Sequence, residues 1–235
     1  MLLRPNATFE LAEKLQRGEV TFGEIYSFIS GLYFRGKVAY AHAFADAPGG
    51  VPSAVIIVPG LGLVPLDTPV SSDQLTAIGS VSIESDNRAF RTALVRDAQR
   101  LDQSAGPTCS FVLLGSIASD KYTEPLLEVF GERLVFPADF VGRGDMSRGG
   151  LMLRSAGSGI ELAYVPVVGT VRRGSRPPKL TPLRNRSLRF FADTVNNFKG
   201  TAESYSTCFI VHCLGSLSGR QRRNFVPCRN RPPVK

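Results

Sequence analysis

Two apolar runs that alternate with amphipathic segments constrain the fold of this chain more than any other feature. Ala54-Val55-Ile56-Ile57-Val58 is continuous, β-branched and closed by Pro59-Gly60, as a strand buried on both faces would be. Cys109-Ser110-Phe111-Val112-Leu113-Leu114 repeats that pattern further along. Between them, Asn87 to Leu101 sets Phe90, Leu94, Ala98 and Leu101 among charges at helical spacing. A helix over Asp120 to Phe130 closed by Gly131, a strand at Leu134-Val135-Phe136 and another at Leu162 to Val165 continue the alternation. The expected fold class is α/β: a mostly parallel or mixed sheet flanked by helices, followed by a basic, largely irregular C-terminal tail.

The remaining segments fit around that frame. Thr8 to Arg17 reads as an amphipathic helix stopped near Gly18, and Thr21 caps a second helix carrying Ile25, Phe28 and Ile29. Gly60 to Asp67 reads as a loop and Ser71 to Ile78 as a short helix. Ser147 to Arg154 favours helix, with Asp145 or Ser147 as its cap.

Charge divides the chain unevenly. The first 180 residues hold as many acidic as basic side chains, so the whole net charge of +8 falls on the segment 181–235. Arg172 to Lys179 forms a basic, Pro-containing boundary that cannot sustain a helix. This divides the sequence into an α/β domain at 1–171, a linker at 172–180 and an appendage at 181–235. The appendage carries three of the four cysteines and little periodicity, the texture of a disordered or non-native segment. Only Cys208 to Leu214 within it has strand character.

Composition excludes several classes. Hydrophobic residues make up 43% of the chain, enough for a packed core, yet no apolar run approaches the roughly 18 residues that span a bilayer. The start, Met1 to Glu10, lacks an apolar signal core, so a cytoplasmic protein without a membrane partner is expected. The Arg143-Gly144-Asp145 tripeptide is not read as an adhesion motif for the same reason. Cys208, His212, Cys213 and Cys228 offer no Cys-x-x-Cys pair, so no metal and no cofactor are expected. Neither a P-loop, a dinucleotide fingerprint nor a Gly-x-Ser-x-Gly elbow is present.

Two small-residue turns carry the candidate chemistry. Leu114-Gly115-Ser116-Ile117-Ala118-Ser119-Asp120-Lys121-Tyr122 and Gly142-Arg143-Gly144-Asp145-Met146-Ser147-Arg148-Gly149-Gly150 each follow a strand-like run. Glycines admit close backbone approach, and a helix start offers unpaired N–H groups to an anion. Ser116, Ser119, Lys121, Asp145, Ser147 and the arginines Arg143 and Arg148 are thus candidates for gripping phosphate. Arg35 and Lys37, set among Tyr33, Phe34 and Tyr40, suit base stacking beside phosphate contacts, and Tyr122 is a second stacking candidate. The competing structural readings are ordinary capping in the first turn and surface ion pairs in the second. Phe34 and Tyr40 in the core is the alternative for the third group. Asp67, on a loop leaving a buried strand, is the candidate general base, with a turn-forming role as its alternative.

The order of four of these pieces resembles the YaaA-like group, named for a bacterial peroxide-stress protein. Phe34-Arg35-Gly36-Lys37-Val38-Ala39-Tyr40 looks like that family's phenylalanine–glycine–valine–tyrosine segment. Gly60 to Pro69 is similar to its glycine–leucine-rich loop ending in aspartate, although Val64 stands in place of an arginine. Ala118-Ser119-Asp120-Lys121-Tyr122 and Arg143-Gly144-Asp145-Met146-Ser147-Arg148 match its remaining elements, with Lys121 where an acid is usual. The resemblance spans residues 33–155. It implies an α/β protein whose Arg35, Asp67, Ser119, Tyr122, Arg143 and Arg148 line one cleft, with DNA binding and an oxidative-stress role. Two functions are therefore expected of the chain. One is a cleft for phosphate, nucleotide or DNA backbone; the other is an enzyme acting on a nucleoside, nucleotide or nucleobase through Asp67.

Overall fold

The computed structural model describes residues 2–4, 6–82, 87–181 and the strand at 210–214. Among these, helices α1 (Glu10–Gln16), α2 (Phe22–Ile29) and α3 (Gly31–Phe44) precede strands β1 (Ala54–Val58) and β2 (Gly62–Pro65). Then come α4 (Ser72–Gly79), α5 (Arg88–Ala105), β3 (Ser110–Leu113), α6 (Asp120–Phe130), β4 (Leu134–Pro137), α7 (Asp145–Ser158), β5 (Tyr164–Pro166) and β6 (Ile210–Leu214).

Local chemistry sets most of these boundaries. Thr21 and Glu24 form a reciprocal capping box at the start of α2, and Ser71 and Gln74 do the same for α4. The Asn87 side chain accepts from the Ala89 and Phe90 N–H groups, satisfying two donors that open α5. The expected helices and strands lie where the sequence placed them, with two additions. The stretch read as a loop after β1 contains β2, which folds back antiparallel so that Val58 pairs with Gly62. Periodicity also did not define α3 as a whole, because its buried face mixes Tyr33, Phe34, Gly36, Lys37 and Tyr40.

Of the two arrangements the sequence allowed, the sheet is mixed, in the order β2-β1-β6-β3-β4-β5. Among the described strands only β3 and β4 run parallel, joined through α6. The β2–β1 hairpin and the β3–β4–β5 group meet through β6, which is antiparallel to β1 on one side and β3 on the other. The middle strand is thus drawn from the basic C-terminal segment; the rest of that segment falls outside the described residues.

β1 is buried along its whole length, and Phe111, Val112, Leu113, Leu134 and Phe136 add a fully covered layer. Burial of this continuous apolar layer is the main driving force for the fold. Phe111 stacks on Phe130 at 3.8 Å between centroids, tying β3 to α6. α3 packs against α7 and β6, and α5 packs against α6 and β2. No described helix is long and apolar enough to cross a membrane.

Candidate functional site

Because β3 and β4 are parallel, the two glycine-bearing turns emerge at the same end of the sheet. That is where open α/β sheets place their ligands. The first turn leads from Leu114 into α6. The second leads from a 3-10 turn at Ala138–Phe140 into α7. Arg148 joins them: its Nε and one terminal nitrogen donate to the Phe140 carbonyl at 3.2 and 3.0 Å. The other terminal nitrogen donates to the Gly115 carbonyl at 3.4 Å. It is 8% exposed, lies 5.4 Å from the Phe140 ring centroid and stands 3.8 Å from Asp145 Oδ1. A planar fork suits such divided acceptance, so the guanidinium serves as an internal brace between the turns.

The structure separates the other sequence candidates into three groups. Lys37 is 2% exposed, with Nζ 4.0 Å from the Tyr33 ring centroid and 5.9 Å from that of Phe34. Arg35, beside it on α3, is half-buried, and that desolvation lowers its pKa. Tyr33 is buried, which raises the pKa of its hydroxyl against the opposing pull of Arg148. Tyr33 lies at the α3–α7 contact, and it and Lys37 are buried, so the segment offers no open stacking surface. Phe34 and Tyr40 lie in the core, as the structural reading of that segment had it.

The α6 candidates form the second group. Tyr122 is 2% exposed and meets Phe90 edge-on at 5.8 Å, so its ring is committed to the α5–α6 contact. Lys121 lies over that ring at 5.2 Å. Ser119 precedes α6 without a side-chain capping bond, and Ser116 accepts from the Ser119 N–H through its carbonyl at 3.4 Å. Asp67 is exposed in the turn after β2, where Thr68 N–H donates to Pro65 O. That geometry is a turn former's.

Arg143 and Ser147 make the third group and line a cleft. Arg143 Nε donates to the Asp139 carbonyl at 3.0 Å, and its terminal nitrogen reaches Ser147 Oγ at 3.3 Å. The cleft, of about 330 Å³, lies between the start of α7 and the segment 176–180. Arg143, Arg154, Arg176 and Lys179 supply the charge of its lining, and Met146, Pro177, Pro178 and Leu180 its apolar part. Among the described residues, no carboxylate and no aromatic ring belongs to its lining. Asp145, in the first turn of α7, points its charge elsewhere, toward Arg148. The α7 N-cap is Gly144 and not the expected Asp145 or Ser147, which lie inside the helix, and it brings no side-chain oxygen to the opening N–H groups.

No family model, curated protein or solved structure matches this chain.

Sequence reasoning missed Arg154, Arg176 and Lys179. Arg154 sits at helical spacing from Ser147 and Gly150, a signal that was available. Arg176 and Lys179 belong to the stretch read as a linker, and nothing local reveals that it folds back on α7. A second cleft, of about 410 Å³, lies between the end of α1 and the start of α4. It is chemically weaker: Arg17 is paired with Glu19, Ser71 is occupied in capping and Asp73 opposes an anion. Among the described residues no group of three or more His, Cys, Asp or Glu side chains gathers as a metal site. The side chains of residues 208, 212, 213 and 228 lie outside the described set.

Proposed function

We propose that this protein binds a phosphate-bearing ligand, nucleic-acid backbone or nucleotide, in the cleft between the α7 N-terminus and residues 176–180. One observation carries the reading: among the described residues four cationic side chains line the cleft and no carboxylate does. Like charges gathered in one concavity repel one another, and an anion relieves that repulsion. Arginine forks and uncapped helix N–H groups both match phosphate oxygens. Arg154 lies ten residues beyond Gly144 on one helix, about 15 Å along its axis. Charge spread over that length favours an extended polyanion over a single phosphate. The described lining offers no ring for a base to stack on, so on this reading the phosphates supply the recognition. Of the six residues that the resemblance to the YaaA-like group would set in one cleft, this lining holds only Arg143, so the resemblance agrees with the reading in ligand class and not in the residues.

The test uses the full chain, labelled single-stranded and duplex oligonucleotides, ATP and ADP, and a salt series. Arg143→Ala, Arg154→Ala and Arg176→Ala should each weaken binding. Each should also lower the slope of log affinity on log salt by about one for every phosphate no longer neutralised. Unchanged affinity and slope in the triple variant would move binding to the basic C-terminal segment and refute the cleft. The enzymatic alternative finds no support in the placement of Asp67, which does not line this cleft.

A further inference from the structure

We propose that Arg172 is a positioning residue for the cleft, pinning the extended strap of residues 171–180 so that Arg176 and Lys179 face α7. The inference rests on the phosphate-binding reading above. Half of the cleft's cations sit on this strap, which has no helix or strand of its own. Pro177 and Pro178 also lack the N–H groups through which an extended segment would be tied down. Its placement therefore depends on side chains.

Arg172 supplies the principal ones. One terminal nitrogen donates to the Ile117 carbonyl at 3.2 Å and to Thr123 Oγ1 at 2.8 Å; the other reaches Asp120 Oδ1 at 3.1 Å. All three acceptors belong to the first turn and the start of α6, so the strap is tethered to the turn that Arg148 already braces. Two further contacts extend the hold. Gly142, with φ of 71°, lies so close to the Ser175 carbonyl that no Cβ fits there, and Arg143 donates to the Pro178 carbonyl at 3.4 Å. Arg172 itself does not line the cleft. In an extended chain Arg176 lies about 13 Å and Lys179 about 23 Å farther on, so Arg172 acts only through the backbone it holds. Unpinned, the strap would have to be ordered when ligand binds, and that conformational entropy would be subtracted from affinity.

The probe is inorganic tripolyphosphate, titrated calorimetrically into the full chain. Arg172→Met should weaken binding about tenfold, the scale of ordering about one residue, and Arg172→Lys should recover part of the loss. In a background of Arg176→Ala with Lys179→Ala, Arg172→Met should have little further effect, because the cations it positions are gone. Trypsin should cut ligand-free Arg172→Met faster after Lys179 than it cuts the parent chain, as a released strap requires. Asp120→Asn, a milder change to the same anchor, should shift both readings in the same direction. Parent-like affinity in Arg172→Met, an equal loss in the double-alanine background, or an unchanged cleavage rate after Lys179 would each overturn the inference. If Arg143→Ala and the double-alanine variant bind as the parent does, the phosphate-binding reading fails instead. The cleavage rate alone then reports on the strap.

Discussion

Gly36 and Gly149 meet where α3 crosses α7, and neither position has room for a methyl group. A Cβ at residue 36 would stand 2.7 Å from the Gly149 carbonyl oxygen; one at residue 149 would stand 2.8 Å from Tyr33 Cα. Alanine is a better helix former than glycine by about 1 kcal/mol, but here the obstructing atoms are backbone and cannot rotate aside. Gly36→Ala and Gly149→Ala should each destabilise by about 1–3 kcal/mol. Urea denaturation reads this directly, and a stabilised variant would show that the helices are farther apart.

Arg148 ties together carbonyls from two turns that are distant in sequence. Without its guanidinium the Phe140 oxygen keeps the Arg143 N–H at 3.2 Å, while the Gly115 oxygen loses a charged donor. Arg148→Met should therefore cost about 1–3 kcal/mol, the scale of removing charge-assisted bonds from buried acceptors. Arg148→Lys should fall between, since one ammonium cannot span both acceptors in the same geometry. Equal stabilities for methionine and arginine in urea melts would remove the brace between the turns.

Glu161 gives the protein a pH-dependent element. Burial raises its carboxyl pKa above the usual 4.5, while the hydrogen bond from Tyr164, 2.8 Å from Glu161 Oε1, opposes that rise. The folded state therefore keeps a proton that the unfolded chain has already released. Stability from this group is lost as pH rises from about 4.5 through the raised folded pKa. Glu161→Gln should melt higher than the parent at neutral pH, and the gap should close below the usual carboxylate pKa. Thermal melts between pH 4 and 7 decide it; a gap that widens on acidification has the wrong sign.

Tyr40 bridges the same region through a buried hydroxyl 2.6 Å from that of Tyr164, and it also accepts from the Leu162 N–H at 3.1 Å. Tyr40→Phe should cost about 1–3 kcal/mol, the usual loss when buried polar groups lose a partner. Chemical denaturation measures it, and a neutral result would mean that solvent reaches these groups.

Val211 pairs with Val55 on one side and Leu113 on the other. Proline there removes a ladder donor in a strand flanked on both sides, leaving a buried acceptor unpaired at a cost of about 1–3 kcal/mol. Val211→Pro should therefore lower the midpoint of circular-dichroism melts sharply. Deleting residues 182–235 should do worse, because β1 and β3 would both become bare apolar edges prone to aggregation. For that reason binding by the C-terminal segment is better tested with substitutions than by truncation. A fully soluble, cooperatively folding truncate would contradict the strand order.

The strands and most helices were legible because burial leaves a periodic trace in sequence. The run at 54–58 and the caps Thr21, Ser71 and Asn87 mark elements through local chemistry alone. The turn at 142–150 was legible as a special place, since its glycines and arginines have no role in a plain loop. What each arginine does was not. Arg143 and Arg148 are five residues apart and look alike in sequence, yet one faces the cleft and the other is spent on carbonyls. That difference depends on where α7 begins, with Arg143 before it and Arg148 within it, and on residues far along the chain. The same holds for Arg176 and Lys179, whose meaning comes from a fold-back, and for Lys37 and Tyr122, whose polar atoms hid how deeply they pack.

A sheet whose middle strand comes from residues 210–214 also dictates an order of events during synthesis. The pair between residues 54 and 212 forms only after nearly everything between them has left the ribosome. Until then two separate half-sheets must persist side by side, each with an apolar flank open to neighbours. Folding of this protein is accordingly expected to be slow, late and sensitive to chaperones, a kinetic signature of long-range strand insertion.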